Sequence, residues 1–138
     1  MPLHLLKLAV GIEDVDRLRH IRALRAAERG GSWVYTRNHP RRAAEVIAGG
    51  SIYWVIRGHI RVRQRVTRFR SERDDNGRRY CLIDVDERLV PTLLRAWRPF
   101  QGWRYLTAKD APPDRRGKGA KEDLPPKLLA ELRELGLI

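Results

Sequence analysis

The feature that most constrains the fold is the alternation in HIRVRQRV (His59 to Val66), within a run that continues to Arg70 and is followed by Asp75-Asn76-Gly77 and a second apolar run, RRYCLIDVD (Arg78 to Asp86). A period of two is the signature of a strand with unlike faces, and Asn-Gly accepts the positive φ angles that tight connections need. The two runs are expected to pair as a hairpin. In the first, Arg61, Arg63 and Arg65 fall on one face, while Ile60, Val62 and Val66 fall on the other with Gln64, which points inward or sits at a rim.

Other elements are placed around this hairpin. LHLLKLAV (Leu3 to Val10) reads as a largely buried strand, and Val15, Leu18, Ile21 and Leu24 suggest an apolar helix stripe ended by Gly30 and Gly31. SWVYT (Ser32 to Thr36) is expected to be a strand. RRAAEVIA after Pro40 is expected to be a short helix stopped by Gly49 and Gly50, and SIYWVIR (Ser51 to Arg57) another strand. In that strand alternation sends Tyr53 and Trp54 to opposite sides, so one is exposed unless both sheet faces are covered. Trp54, in the most apolar stretch of the middle of the chain, is assigned to the core.

Beyond Pro91 the chain reads as irregular and aromatic. The expected fold class is α+β, a small mixed sheet or barrel with flanking helices. Residues 1–110 form a compact core, 111–123 an exposed loop and 124–138 a helix packing on the core, capped by Asp123 and carrying Leu128, Leu132 and Leu135 along one side.

A chain of 138 residues can bury a core without staples, and one cysteine, Cys81, forms no internal disulfide. No signal peptide is read at the start, and no apolar run reaches the roughly 20 residues of a membrane span, so a cytoplasmic location and no membrane partner are expected. The sequence leaves the oligomeric state open. The net charge of +12 and a pI near 10.9 point to polyanionic partners. Of the 29 cations 24 are arginine, the better reader of phosphates and bases. Between Gly31 and Arg70 nine arginines face Glu45 alone, so eight of the twelve excess charges lie in that stretch.

Three constellations carry possible binding chemistry. Arg61, Arg63 and Arg65, about 7 Å apart along a strand face, repel one another unless an anion is supplied; a wet face neutralised by Asp84, Asp86 and Glu87 is the structural alternative. Arg37, Arg41 and Arg42, with Tyr35, Asn38 and His39, occupy a loop entering a helix whose amides would welcome a phosphate, or would simply be capped by Asn38 or His39. Trp103 and Arg104, in FQGWRYL, could offer a stacking platform for unpaired bases.

Catalysis finds less support. Asp84 and Asp86, with Glu72 nearby, could hold Mg²⁺ in a nuclease, although alternating carboxylates usually form a strand's wet face. His4, His20, His39, His59 and Cys81 lack zinc spacing, and neither an activated nucleophile nor a phosphate loop is evident, so no cofactor is expected.

The blocks YTRNHPRR, GGSIYWVIRG, IRVRQRV and FQGWRYL, with LHLLKLAVG and DLPPKLLAELRELGL at the ends, resemble a family known mostly from alphaproteobacteria, catalogued as domain of unknown function 1489. The resemblance covers nearly the whole chain and implies a compact bacterial domain without an assigned activity. A more distant likeness is to PUA-like domains, including the ASCH group, in which a glycine-ended helix precedes strands that close a barrel; RRAAEVIAGGSIYWVIRG follows that order. SIYWVIR stands where ASCH domains carry a charged motif. The functional expectation is a non-catalytic domain that binds nucleic acid, RNA or a single strand favoured, through Arg37, Arg41, Arg42, Arg61, Arg63, Arg65, Trp103 and Arg104. The Mg²⁺ nuclease and a module docking on an acidic protein are the alternatives.

Overall fold

Nine elements alternate along residues 2–115, the part of the chain described by a computed structural model. They are β1 (Leu3–Leu8), α1 (Val15–Arg29), β2 (Trp33–Thr36), α2 (Ala43–Ile47), β3 (Ser51–Ile56), β4 (His59–Arg73), β5 (Arg79–Val85), β6 (Val90–Ala96) and β7 (Trp103–Thr107). The seven strands make one mixed sheet in the order β2-β5-β4-β3-β1-β7, with β6 attached to β4. Among the described residues only the β1–β3 ladder is parallel.

The fold class is the expected α+β sheet with flanking helices. Of the two forms considered, sheet and barrel, the sheet is open: no ladder among the described residues joins β2 to β7.

The hairpin forms where its turn residues place it, and a register shift at Ile60/Val62 sends Ile60 and Val62 to different clusters. Asp74 Oδ1 accepts the N–H groups of Asn76 and Arg78, and Gly77 takes a φ of 77°. At the β3–β4 turn both Arg57 and Gly58 have positive φ, as a two-residue type I′ connection requires. β4 is long enough for two sets of neighbours. Its first half lies between β3 and β6, and beyond the register shift at Val66/Arg68 it pairs with β5.

Two clusters cover the two faces of β3, which is why all six of its residues are buried. Ile52, Trp54 and Ile56 join the larger core with Leu5, Leu18, Val34, Val62 and Ile83; Tyr53 and Val55 join a smaller one with Leu6, Ile60 and Leu106. Tyr53 and Trp54 are thus both buried. Gln64 points inward: its Oε1 accepts the Trp54 indole N–H at 3.0 Å and its Nε2 donates to the Asp86 carbonyl at 2.9 Å. Gly50 is fixed by close backbone approach, since a Cβ there would lie 2.0 Å from the Leu3 carbonyl oxygen.

Three expectations are corrected. In α1, capped by Asp14 and closed by Gly30, the buried residues are Val15, Leu18 and Arg22, while Leu24 is 50% exposed. Steps of three residues lag the helical turn, so nine residues carry Leu24 to the side opposite Val15. The segment after Pro91 holds two strands, β6 and β7. Pro91 is tolerated because its carbonyl accepts the Arg115 N–H on the side of β6 away from β4, so its missing N–H lies on that side too and costs the β4–β6 ladder no bond. The expected exposed loop begins as a strap, with Leu93 N–H bonded to Pro113 O and Arg115 N–H to Pro91 O. The rest of that loop and the final helix lie outside the described residues. No helix among the described residues is long and apolar enough to cross a membrane.

Candidate functional site

The arginines of β4 are held by the protein itself. Arg61 is 1% exposed, and its Nε donates to the Ile56 carbonyl at 2.6 Å across the β3–β4 turn. Arg63 forms a fork with both oxygens of Asp114 at 2.7 Å and also donates to Ser51 Oγ; the strap along β6 delivers that carboxylate. Arg65 donates to the carbonyls of Ile47, Gly50 and Val66, closing the end of α2. The expected row of three solvent-facing arginines is therefore corrected. Their acceptors come from the end of β3 for Arg61, from the strap and Ser51 for Arg63, and from the end of α2, Gly50 and Val66 for Arg65.

The loop after β2 also departs from expectation. α2 is a helix of five residues, and the Arg42 N–H bonds the Tyr105 hydroxyl at 3.0 Å, so no row of free amides faces outward there. Arg42 is engaged by Glu45 at 2.8 Å and lies 5.7 Å from the centre of the Tyr105 ring, while Arg41 is exposed.

Arg37, Trp103 and Arg104 do come together. They line a cavity of about 290 Å³ with Lys7, Tyr35, Thr36, Asn38 and Gln101, between the end of β2 and the start of β7. The Trp103 indole N–H donates to Asn38 O at 3.0 Å, and its ring meets Tyr105 edge-on, centres 4.9 Å apart. Arg104 lies 5.5 Å from the Phe100 ring centre. Tyr35 is 52% exposed and packs obliquely on Tyr80. Burial lowers the pKa of the Lys7 ammonium. No carboxylate stands in the wall among the described residues.

A second cavity, of about 370 Å³, shares Lys7 and Tyr35 with the first and runs under α1. Its wall holds Arg22, Arg25 and Arg29, the apolar Ile12, Leu18 and Ile21, and the rings of Trp33 and Trp54, again without a carboxylate. Trp33 has two guanidinium neighbours, Arg29 at 5.3 Å and Arg70 at 5.1 Å from its centre. The sequence reasoning missed this cluster. The signal was legible: Val15, Leu18, Arg22, Arg25 and Arg29 follow strides of three and four residues, so Arg22 continues the buried stripe and the exposed Arg25 and Arg29 prolong the same side of the helix.

Over residues 5–138 the chain matches the family described as "Protein of unknown function (DUF1489)". The chain belongs to that family. No curated protein and no solved structure matches it.

In this family member the carboxylates proposed for Mg²⁺ are separately engaged. Asp84 is bound by Arg68 and Arg70, each at 2.7 Å. Burial pushes its pKa upward, but the two guanidinium groups outweigh that and hold it below the ordinary carboxylate value. Asp86 accepts the Arg88 N–H at 2.9 Å. No group of three or more His, Cys, Asp or Glu that could hold a metal ion is found among the described residues.

Proposed function

We propose that the chain is a non-catalytic domain that binds single-stranded nucleic acid, RNA favoured, along the joined cavities at the β2/β7 end of the sheet. The observation that carries this reading is the convergence of Lys7, Arg37 and Arg104 with Tyr35 and Trp103 in one wall without a carboxylate. Cations there would neutralise phosphates, and the exposed Tyr35 face would stack a base, a contact worth about 1–3 kcal/mol. Duplex bases hide their faces, which favours an unpaired strand.

The test is a fluorescence-anisotropy titration of single-stranded RNA, single-stranded DNA and duplex at several salt concentrations. Arg37→Gln with Arg104→Gln should reduce the salt slope by about 1.4 for single strands, two phosphate contacts at about 0.7 each. A parent protein that binds no oligomer even at low salt would sink the reading and leave an acidic protein as the partner to seek.

A further inference from the structure

Under α1 the balance of charge is one-sided. Lys7, Arg22, Arg25 and Arg29 stand in the wall of the 370 Å³ cavity with no acidic residue among the described residues that line it. Arg22 is 6% exposed; one end of its guanidinium donates to Ser32 Oγ and Trp33 O, both at 3.0 Å. Its Nε–H is buried with no acceptor. A fold normally supplies a partner for a buried donor, and more insistently for a charged one. Here it supplies further positive charge, since Arg25 and Arg29 follow at i+3 and i+7, on one side of the helix and within about 10 Å along its axis. Burial, with repulsion from Arg25 and Arg29 added, lowers the Arg22 pKa to about 10.

From this geometry we infer that the α1 cavity is a receptor for a phosphate monoester attached to an aromatic base, and so takes the phosphorylated end of a bound strand. The inference rests on the nucleic-acid reading for the rest of the strand. The charge arithmetic favours the monoester: an internal diester brings one negative charge, whereas a terminal monoester carries about 1.5 to 2 at neutral pH. Cavity size agrees, being at the small end of the range for single small ligands. The wall has two characters, guanidinium groups on α1 and apolar and indole surface from Leu18, Ile21, Trp33 and Trp54, which suits a phosphate at one side and a base at the other. A terminal phosphate and a free nucleoside monophosphate share this chemistry, and the experiment separates them.

Labelled single-stranded RNA of one sequence is prepared with a 5′-phosphate, a 3′-phosphate or hydroxyl at both ends, and titrated by anisotropy; adenosine monophosphate is titrated by thermal shift. At least one phosphate-ended oligomer should bind tenfold or more tightly than the hydroxyl-ended one. The doubly exposed variant Arg25→Gln, Arg29→Gln should erase that preference and stay folded, whereas Arg37→Gln, Arg104→Gln should weaken all oligomers and keep it. Equal affinity for phosphate and hydroxyl ends, or a preference that survives Arg25→Gln, Arg29→Gln, overturns the inference while leaving the strand reading intact. Binding of adenosine monophosphate with no oligomer bound at all would uphold the cavity's assignment to a phosphate monoester and remove the strand. Binding of neither removes both.

Discussion

Arginines on β4 and arginines on α1 are chemically the same residue in opposite situations. Along β4 the protein supplies each guanidinium with an acceptor: Ile56 O for Arg61, Asp114 for Arg63, three carbonyls for Arg65 and Asp84 for Arg68 and Arg70. Under α1 it supplies Arg22 with two neutral acceptors and surrounds it with Lys7, Arg25 and Arg29. Density of positive charge in the sequence points to the first group. Lack of counter-charge in the structure points to the second, and it is lack of counter-charge that leaves free energy available for a ligand.

The comparison breaks most sharply on stability. Arg61→Ala removes a buried side chain and a charge-assisted bond, and is expected to cost about 2–4 kcal/mol in urea unfolding, with no change in the salt slope of nucleic-acid binding. A variant of unaltered stability and flattened slope would return β4 to the binding surface. Tyr35→Ala should do the reverse: it lowers single-strand affinity by about 1–3 kcal/mol and leaves the melting temperature in place. Should affinity survive, Tyr35 stacks no base.

The β4 side can also be titrated through its neighbour His4. Its Nδ1 accepts the Ser51 N–H, and burial, then Arg63 and Arg65, lower its pKa from 6.5 to about 4. The folded state therefore binds fewer protons than the unfolded chain in that window, so His4 makes stability rise with pH between about 4 and 6.5. His4→Asn, which keeps an acceptor for Ser51, should flatten that part of the profile; an unchanged profile would mean that His4 is charged in the fold. The smallest effect belongs to α1. Relieving like-charge neighbours by Arg25→Gln, Arg29→Gln should leave stability unchanged or raise it by about 0.5 kcal/mol, and a clear loss would show that the cluster is structural.

What the sequence disclosed follows from which forces are local. The β4–β5 hairpin, the glycine-ended helix before β3 and the core place of Trp54 rest on alternation and turn chemistry within a few residues. β6 was hidden by Pro91, whose missing N–H matters only on the side that faces a ladder partner, and that side is not written locally. The outward face of Arg61, Arg63 and Arg65 failed for the same reason: Asp114, 51 residues beyond Arg63, arrives on a strap no pattern announces. Arg37 was read in the helix-entry loop and Trp103 with Arg104 as a separate platform, and the fold brings those three together. Arg22, Arg25 and Arg29 were readable as a stripe but were passed over because arginine is not expected on a buried face.

The place of β1 in the sheet has a temporal consequence. It lies between β3, its parallel partner, and β7, its antiparallel one, with Leu5 and Leu6 fully buried in two different clusters. On a ribosome β1 emerges first and β7 among the last of the strands, a delay on the order of 5–20 s at bacterial or eukaryotic elongation rates. Until then the β7-side edge of β1 is open and the cluster around Leu6 lacks Leu106. Nascent chains halted before Trp103 should therefore bind hydrophobic dyes and holdase chaperones through Leu3–Leu8, and release them once β7 is made.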